Sequence, residues 1–377
     1  MCDRNELTTL PELPPFLHSL ICSNNVLVSL PTLPSTLKML YCNGNLLRVL
    51  PELSPSLTIF YCVKNQLISL PTLPQPLESI ACNNNLLSTL PELPSLLRTL
   101  HCSNNLLSSL PPLPLTLDTL RTSRNQLTFL PNLPSSLTSI ECSYNQLTFL
   151  PELPALLNDI YCCYNQLTSL PEIPLLCKII ACNDNQLTCL PELPPLLDVC
   201  ACINNHLTSL PSLPPLLYHL SCSNNYLTSL PELPSQLRIL ICTGNRLTSL
   251  PSLPVAISLL ECCKNNIHIL SSLPEVLTMF ACEENPLDTP PEFPHRITCL
   301  SYDHPIDKSI QTYRHLNPEM IQRINQENRD CMALLAQESK ERAHKRCKTY
   351  KEEIMMKVWH PSRVEKLLKM GYDMEDM

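Results

Sequence analysis

Cysteine is the residue type in this sequence with the greatest capacity for chemistry, because the 377-residue chain contains 22 of them. Thiols can form disulfides, bind zinc or act as nucleophiles. Most of these thiols, however, recur at one position of a 20-residue period, with Thr122 filling the single gap. The column consists of Cys2, Cys22, Cys42, Cys62, Cys82, Cys102, Cys142, Cys162, Cys182, Cys202, Cys222, Cys242, Cys262 and Cys282. The spacing predicts a repeated core position, where a free thiol packs as a small hydrophobe.

The same spacing argues against disulfides and zinc. Equivalent residues of stacked strands lie about 4.8 Å apart, within reach of a disulfide, but their parallel side-chain directions disfavour bridges. Zinc needs four converging ligands. The pair His344 and Cys347 is too small a set, and the densest thiol group occupies ordinary core columns: Cys177, Cys182, Cys200 and Cys202. We therefore predict no metal site and no cofactor, and an intracellular, reducing compartment.

Other chemistry has little support in the residues. Cys163 and Cys263 fall on outward positions and are expected to be the more reactive thiols. The sequence lacks a glycine-rich phosphate loop, a paired nucleophile and base, and convergent carboxylates. We expect no catalytic residues and no enzymatic activity.

The spacing of asparagine defines the repeating unit that positions the cysteines. It recurs fifteen times without insertion or deletion, at Asn5, Asn25, Asn45, Asn65, Asn85, Asn105, Asn125, Asn145, Asn165, Asn185, Asn205, Asn225, Asn245, Asn265 and Asn285. A fixed 20-residue period predicts a solenoid, in which each repeat buries its apolar face against its neighbours. The predicted division is an array of fifteen repeats over 1–300, a linker over 301–316 and a helical tail over 317–377.

One repeat, LTSIECSYNQLTFLPELPAL, shows how the columns are used. Alternation around Ile140 and Cys142 predicts a short strand with one buried face, and stacked copies predict a parallel sheet. Asn145 follows the strand, where an inward amide can satisfy buried backbone groups, so we expect a hydrogen-bonded asparagine ladder. Proline columns beginning at Pro11 and Pro14 exclude helix and predict an extended or polyproline II outer wall.

The repeated C-x-x-N-x-L-x-x-L-P-x-L-P resembles the short leucine-rich repeats of bacterial effectors of the Yersinia YopM type and of the Shigella invasion-plasmid ubiquitin ligases. The resemblance covers about 1–300 and implies a leucine-rich-repeat solenoid with a concave parallel sheet. The strand cysteine departs from the bacterial pattern. That cysteine, and the tail sequence WHPS leading into VEKLLKMGYD, are similar to leucine-rich-repeat proteins predicted in giant DNA viruses. Neither Cys331 nor Cys347 is followed two residues later by Asp, so a ubiquitin-ligase-like enzyme is the least favoured interpretation.

The tail carries helix signals. Asn317 and Pro318 are typical of an N-cap and a first helical position, and nothing interrupts helix before His360. A second helix is predicted from Pro361 to Met370. These helices could cap the exposed end of the core or bind a partner.

The concave sheet is the predicted recognition surface, because outward strand positions vary while the core columns stay fixed. Hot spots of protein interfaces favour Tyr, Trp and Arg. Ordinary β-favouring residues on an exposed sheet are the alternative explanation. The candidate partner-binding residues are Met39, Tyr41, Ile59, Tyr61, His101, Arg121, Glu141, Tyr144, Tyr161 and Tyr164.

Charge and hydropathy limit the classes of partner that the sequence supports. The formal net charge is −8, and 1–300 contains 21 acidic and 12 basic residues, so the array lacks the basic footprint of a nucleic-acid-binding protein. The sequence contains no uninterrupted run of 18 apolar residues, so it predicts no membrane-spanning helix. We expect a monomeric protein-interaction scaffold that binds a host or viral protein. A virion or assembly component, which differs by high copy number and self-association, is the alternative.

Overall fold

The computed structural model describes residues 2–303 and 310–358, in which sixteen strands are followed by one helix. The helix, α1, spans Pro318–Val358. The first fourteen strands contain three residues each and recur every 20 residues. The strands are β1 Ser19–Ile21, β2 Met39–Tyr41, β3 Ile59–Tyr61, β4 Ser79–Ala81, β5 Thr99–His101, β6 Thr119–Arg121, β7 Ser139–Glu141, β8 Asp159–Tyr161, β9 Ile179–Ala181, β10 Val199–Ala201, β11 His219–Ser221, β12 Ile239–Ile241, β13 Leu259–Glu261, β14 Met279–Ala281, β15 Cys299–Asp303 and β16 Ile310–Arg314.

These strands form one sheet in sequence order, which confirms the predicted leucine-rich-repeat solenoid. Strands β1 to β15 are parallel, and each pairs with its neighbour in a register shift of 20 residues, as Ile140 pairs with Ile160. In β7 the middle residue Ile140 is buried, while Ser139 and Glu141 are half-buried on the opposite face. Each strand therefore gives one side chain to the core and two to the concave surface.

The predicted asparagine ladder is present. The Asn145 side-chain nitrogen donates to the carbonyl oxygens of Thr122 and Cys142, both at 3.0 Å, and its side-chain oxygen accepts from the Leu127 amide at 3.0 Å. The same three contacts recur from Asn25 to Asn285. Asn5 is exposed and its side chain instead donates to the carbonyl oxygen of Asp3. Each inward amide thus joins two consecutive repeats.

The opposite wall is extended, as the proline columns predict. No helix or strand interrupts the stretch between one strand and the next in the described array. The carbonyl oxygen of Pro154 accepts from the amide of Leu157 at 3.0 Å, which closes a turn just before β8, and equivalent turns precede the other parallel strands. The second proline of the repeat, which Ser54 replaces before β3, therefore begins the turn that returns the chain to the sheet.

The C-terminal end of the array differs from the predicted linker. In the described part of 301–316, β16 pairs antiparallel with the longer β15, so the sheet continues by a hairpin. Tyr302 is buried against the Phe293 ring, with centroids 5.0 Å apart. This pairing satisfies backbone groups on the last parallel strand, a role that a linker would leave unfilled. The division at 300 and 316 otherwise stays a prediction.

Helix α1 begins where the sequence predicts. The Asn317 side-chain oxygen accepts from the Met320 amide at 2.9 Å, as an N-cap does. Ile321 and Ile324 are buried against the last repeat. The Asn325 side chain donates to the carbonyl oxygen of Phe293 and accepts from its amide, both at 3.0 Å. The first turns of α1 therefore cover the end of the core. The predicted helix over 361–370 lies outside the described residues.

Candidate functional site

The concave surface consists of two rows of side chains, one from the first and one from the third residue of each strand. Met39 and Ile59 lie in the first row. The candidates in the second row are Tyr41, Tyr61, His101, Arg121, Glu141 and Tyr161. All eight lie on strands β2 to β8, so the structure places them on one face, as expected from their spacing.

Four of these residues form a concave aromatic patch, defined as Met39, Tyr41, Ile59 and Tyr61. They pair across β2 and β3, Met39 with Ile59 and Tyr41 with Tyr61. The tyrosine rings meet edge to face, with centroids 5.2 Å apart and an interplanar angle of 87°. The Tyr61 hydroxyl lies 3.2 Å from the Ser79 hydroxyl oxygen. The patch presents apolar area with hydroxyl groups, a combination that suits burial against a protein surface.

The remaining strand candidates form a polar row, defined as His101, Arg121, Glu141 and Tyr161. The Arg121 Nε lies 3.1 Å from the Glu141 Oε1, and both groups are partly exposed. Burial, and secondarily the charge of Arg121, lowers the pKa of His101, which favours a neutral imidazole near pH 7. Burial, and then the charges of Asp159 and Glu141, raises the pKa of Tyr161. The polar row can thus provide one ion pair and neutral hydrogen-bonding groups to a partner.

Tyr144 and Tyr164 occupy a different place from the other candidates. Both follow the strand by three residues and have φ angles of 57° and 53°, in the left-handed region. Their rings stack with centroids 4.2 Å apart, and the Arg124 guanidinium carbon lies 4.2 Å from the Tyr144 centroid. They form a tyrosine stack at the turn rather than part of the two strand rows. Both side chains are exposed, as their outward positions predict, and both lie at the turn that follows the strand.

Sequence reasoning missed an apolar continuation of the first row. In β9 to β14 this row contains Ile179, Val199, Ile239, Leu259 and Met279, with His219 between them. The second row of the same strands contains small residues such as Ala181 and Ala201. The periodic columns that identified Tyr161 also identify these residues, so the signal was available.

The thiols require one correction. Burial raises the pKa of Cys163, and it raises the pKa of Cys263 to about 11, so neither favours the reactive thiolate at neutral pH. Cys263 is also buried rather than outward. Among the described cysteines the exposed thiol is Cys189, which occupies a position where most repeats have Ser or Thr. Outward direction in sequence therefore did not predict exposure, because the thiols of Cys163 and Cys263 contact residues of the adjacent repeats, Asn183 and Glu283 among them.

Within 2–303 and 310–358, no group of three or more His, Cys, Asp or Glu side chains could hold a metal ion. Of the residues that the structure describes, no helical segment has both the length and the apolar character that crossing a bilayer requires.

Known proteins with this architecture include two solved structures of YopM. The chain is similar to YopM from Yersinia enterocolitica WA-314 at 37% identity, with a TM-score of 0.75, over 79% of this chain and 71% of that one. It is similar to YopM from Yersinia pestis, a leucine-rich effector protein, at 38% identity and a TM-score of 0.71, over 78% and 86% of the two chains. No protein-family model and no curated protein matches the chain. Solenoids of this fold typically act as protein-interaction scaffolds.

Proposed function

Because the chain belongs to the YopM family of leucine-rich-repeat proteins, we propose that it binds another protein on its concave sheet and catalyses no reaction. The observation that carries this proposal is the concave aromatic patch. Its four side chains point away from the core, so the stability of the fold does not explain them. Tyrosines that gain full burial only in a complex are typical hot spots of protein interfaces.

The polar row extends the proposed interface over the neighbouring strands. Arg121 and Glu141 already pair with each other, so a partner can approach without leaving either charge isolated. His101 and Tyr161 add polar groups that can fix the orientation of the partner. The tyrosine stack, Tyr144 and Tyr164, is proposed as a peripheral contact because it lies at the turn.

The proposed partner is a host or viral protein in a reducing compartment, and the chain is proposed to bind it as a monomer. Support for the compartment comes from 21 free cysteines in the described structure, most of them buried beside one another. The acidic array supports a protein partner over a nucleic acid. The relationship to giant-virus proteins and the alternative of a virion component stay predictions; abundance in purified particles would distinguish the latter.

The first test is affinity capture under reducing conditions with the full chain and with a Tyr41→Ala, Tyr61→Ala, Tyr161→Ala variant. We expect a specific partner with the native chain and its loss with the variant, because all three side chains lie in the second row. Tyr144→Ala with Tyr164→Ala serves as the matched control and is expected to retain most binding. Retention by the triple variant would contradict the proposed site.

A further inference from the structure

A row of exposed leucines lies on the turns that precede strands β8 to β11. We define the leucine ridge as Leu156, Leu176, Leu196 and Leu216, which are between 38% and 51% exposed. Each is followed by a fully buried residue, such as Leu157, and then by the strand. Since β8 to β11 pair in register, these leucines stand side by side in consecutive repeats.

Only in these four consecutive repeats does leucine occupy this position without interruption; exposed Phe16, Leu96 and Val276 share the position but stand apart from the run. The same position holds polar residues in many others, including Thr36, Ser56, Thr116, Ser136 and Gln236. Within the four repeats the preceding residue is also apolar: Ala155, Leu175, Pro195 and Pro215. Leu175 is 72% exposed. The turn geometry of the array therefore does not require leucine here, and a contiguous exposed apolar surface needs another explanation.

An acidic row, defined as Glu152, Glu172 and Glu192, runs beside the ridge in the same repeats. All three carboxylates are exposed, and none forms an ion pair with a described residue. Glu152 and Glu172 line a shallow depression of about 750 Å³ together with Leu175 and Leu176. Carboxylates and leucines are thus neighbours on one surface.

The charge of this region is strongly one-sided. Between residues 150 and 220 the only Lys or Arg is Lys178. Six carboxylates fall in the same range: Glu152, Asp159, Glu172, Asp184, Glu192 and Asp198. Such a surface attracts cationic partners and repels a second copy of itself.

We propose that the leucine ridge and the acidic row together bind a basic amphipathic helix of a partner protein. A helix parallel to the long axis of the sheet presents one side chain per turn, about 5.4 Å apart, which is close to the strand spacing of about 4.8 Å. An extended peptide presents its same-side residues about 6.6 Å apart and loses register with the ridge. Leucines on one helix face then contact the ridge, while lysines or arginines beside them meet the acidic row.

This surface lies on the turns rather than on the concave sheet, so the inference stands or falls separately from the proposed function. The test uses fluorescence anisotropy with the full chain and three labelled peptides of equal length. One peptide has a leucine face flanked by lysines, one has the same face flanked by glutamates, and one is a scramble of the first. We expect the lysine-flanked peptide to bind at least about tenfold more tightly than either of the others.

Variants locate the binding. Leu176→Ser with Leu196→Ser is expected to weaken the lysine-flanked peptide about tenfold or more, because two buried apolar contacts are lost. The matched control, Leu86→Ser with Leu106→Ser, alters equally exposed leucines of another column and is expected to change affinity less than about twofold. Glu172→Gln with Glu192→Gln is expected to weaken binding and reduce its salt dependence.

Three results would overturn the inference. Equal losses in the ridge and control variants would indicate non-specific attraction to an acidic protein. Equal affinity for the lysine-flanked and scrambled peptides would remove the helical requirement. Loss of binding in Tyr41→Ala with Tyr61→Ala, but not in the ridge variant, would place the peptide on the concave aromatic patch. Unchanged thermal unfolding of each variant establishes that the fold is retained.

Discussion

The inward columns and the outward rows of the same strands follow opposite rules. Ile140 and Ile160 are buried in equivalent places and differ little from repeat to repeat, whereas Glu141 and Tyr161, one residue further along, differ in size and charge. Inward residues must fit the neighbours above and below them, because each repeat is stable only through its neighbours. Outward residues contact solvent, so core packing does not fix their type and binding to a partner can. The difference separates the part of the sequence that specifies the fold from the part that is available for recognition.

High pH should have the largest effect on the free energy of unfolding, because it acts on the buried cysteine column. Burial raises the pKa of the Cys142 thiol from its ordinary value of 9.0 to about 12. The other twelve buried thiols of the column also have raised pKa values, mainly through burial, except Cys202, where a hydrogen bond with Cys200 is the larger cause. Above pH 9.0 the unfolded chain loses these protons while the folded chain keeps them, so stability present below pH 9.0 is lost as pH rises. Because thirteen buried thiols of the column share this direction, their combined effect on the free energy of unfolding should exceed that of any single substitution.

Urea unfolding monitored by circular dichroism between pH 7 and pH 11 would measure this loss. The control is Cys189→Ser, which changes an exposed thiol and should leave the pH profile unchanged. A free energy of unfolding that stays constant up to pH 10 would contradict the raised pKa values of the column thiols.

The asparagine ladder should be the next most sensitive feature. Asn145→Ala removes one acceptor contact, to Leu127, and three donor contacts, to Thr122, Cys142 and, at 3.4 Å, Ser143. We expect a loss of about 3 kcal/mol in the free energy of unfolding, since unsatisfied buried groups cost about 1–3 kcal/mol each and are not additive. Asn5→Ala is the matched control, because Asn5 is exposed and bonds only locally, and it should cost less than about 0.5 kcal/mol. Equal losses in chemical denaturation would contradict a role for the ladder.

Thr122 offers a smaller test in the opposite direction. It replaces Cys in the column and is fully buried, and its hydroxyl meets the Cys102 thiol, which is a weak hydrogen-bond partner. Thr122→Cys restores the column and removes a buried polar group, so we expect a gain of about 1 kcal/mol in the free energy of unfolding. A lower denaturation midpoint in the variant would show that the hydroxyl is satisfied in solution.

Repetition explains which features could be predicted from the sequence. The ladder at Asn145 and the buried column at Cys142 recur in nearly every repeat, so one spacing identified all of them. Strand β16 occurs once and has no periodic signal, which is why a linker was expected where a hairpin forms. Asn5 shares the column but lacks the bonded environment, because its amide contacts Asp3 instead of two repeats.

The candidate site was predicted in part for the same reason. Alternation placed Tyr41 and Tyr61 on the outward face, and the structure brings their rings together. Tyr144 is exposed, as its outward position predicts, but it lies at a left-handed turn beyond the end of the strand, where alternation no longer specifies the direction of a side chain. The leucine ridge was missed because Leu156 differs from its buried neighbour Leu157 in exposure but not in type, and only tertiary structure distinguishes the two.

Hydroxyl-radical footprinting of the full chain, alone and in complex with a captured partner, tests most directly whether the outward rows bind and the inward columns only support them. Tyr41 and Tyr61 should become protected in the complex, while Tyr144 and Tyr164, at the turn, change less and serve as internal controls. Protection of Tyr144 and Tyr164 with Tyr41 and Tyr61 unchanged would contradict recognition by the concave sheet.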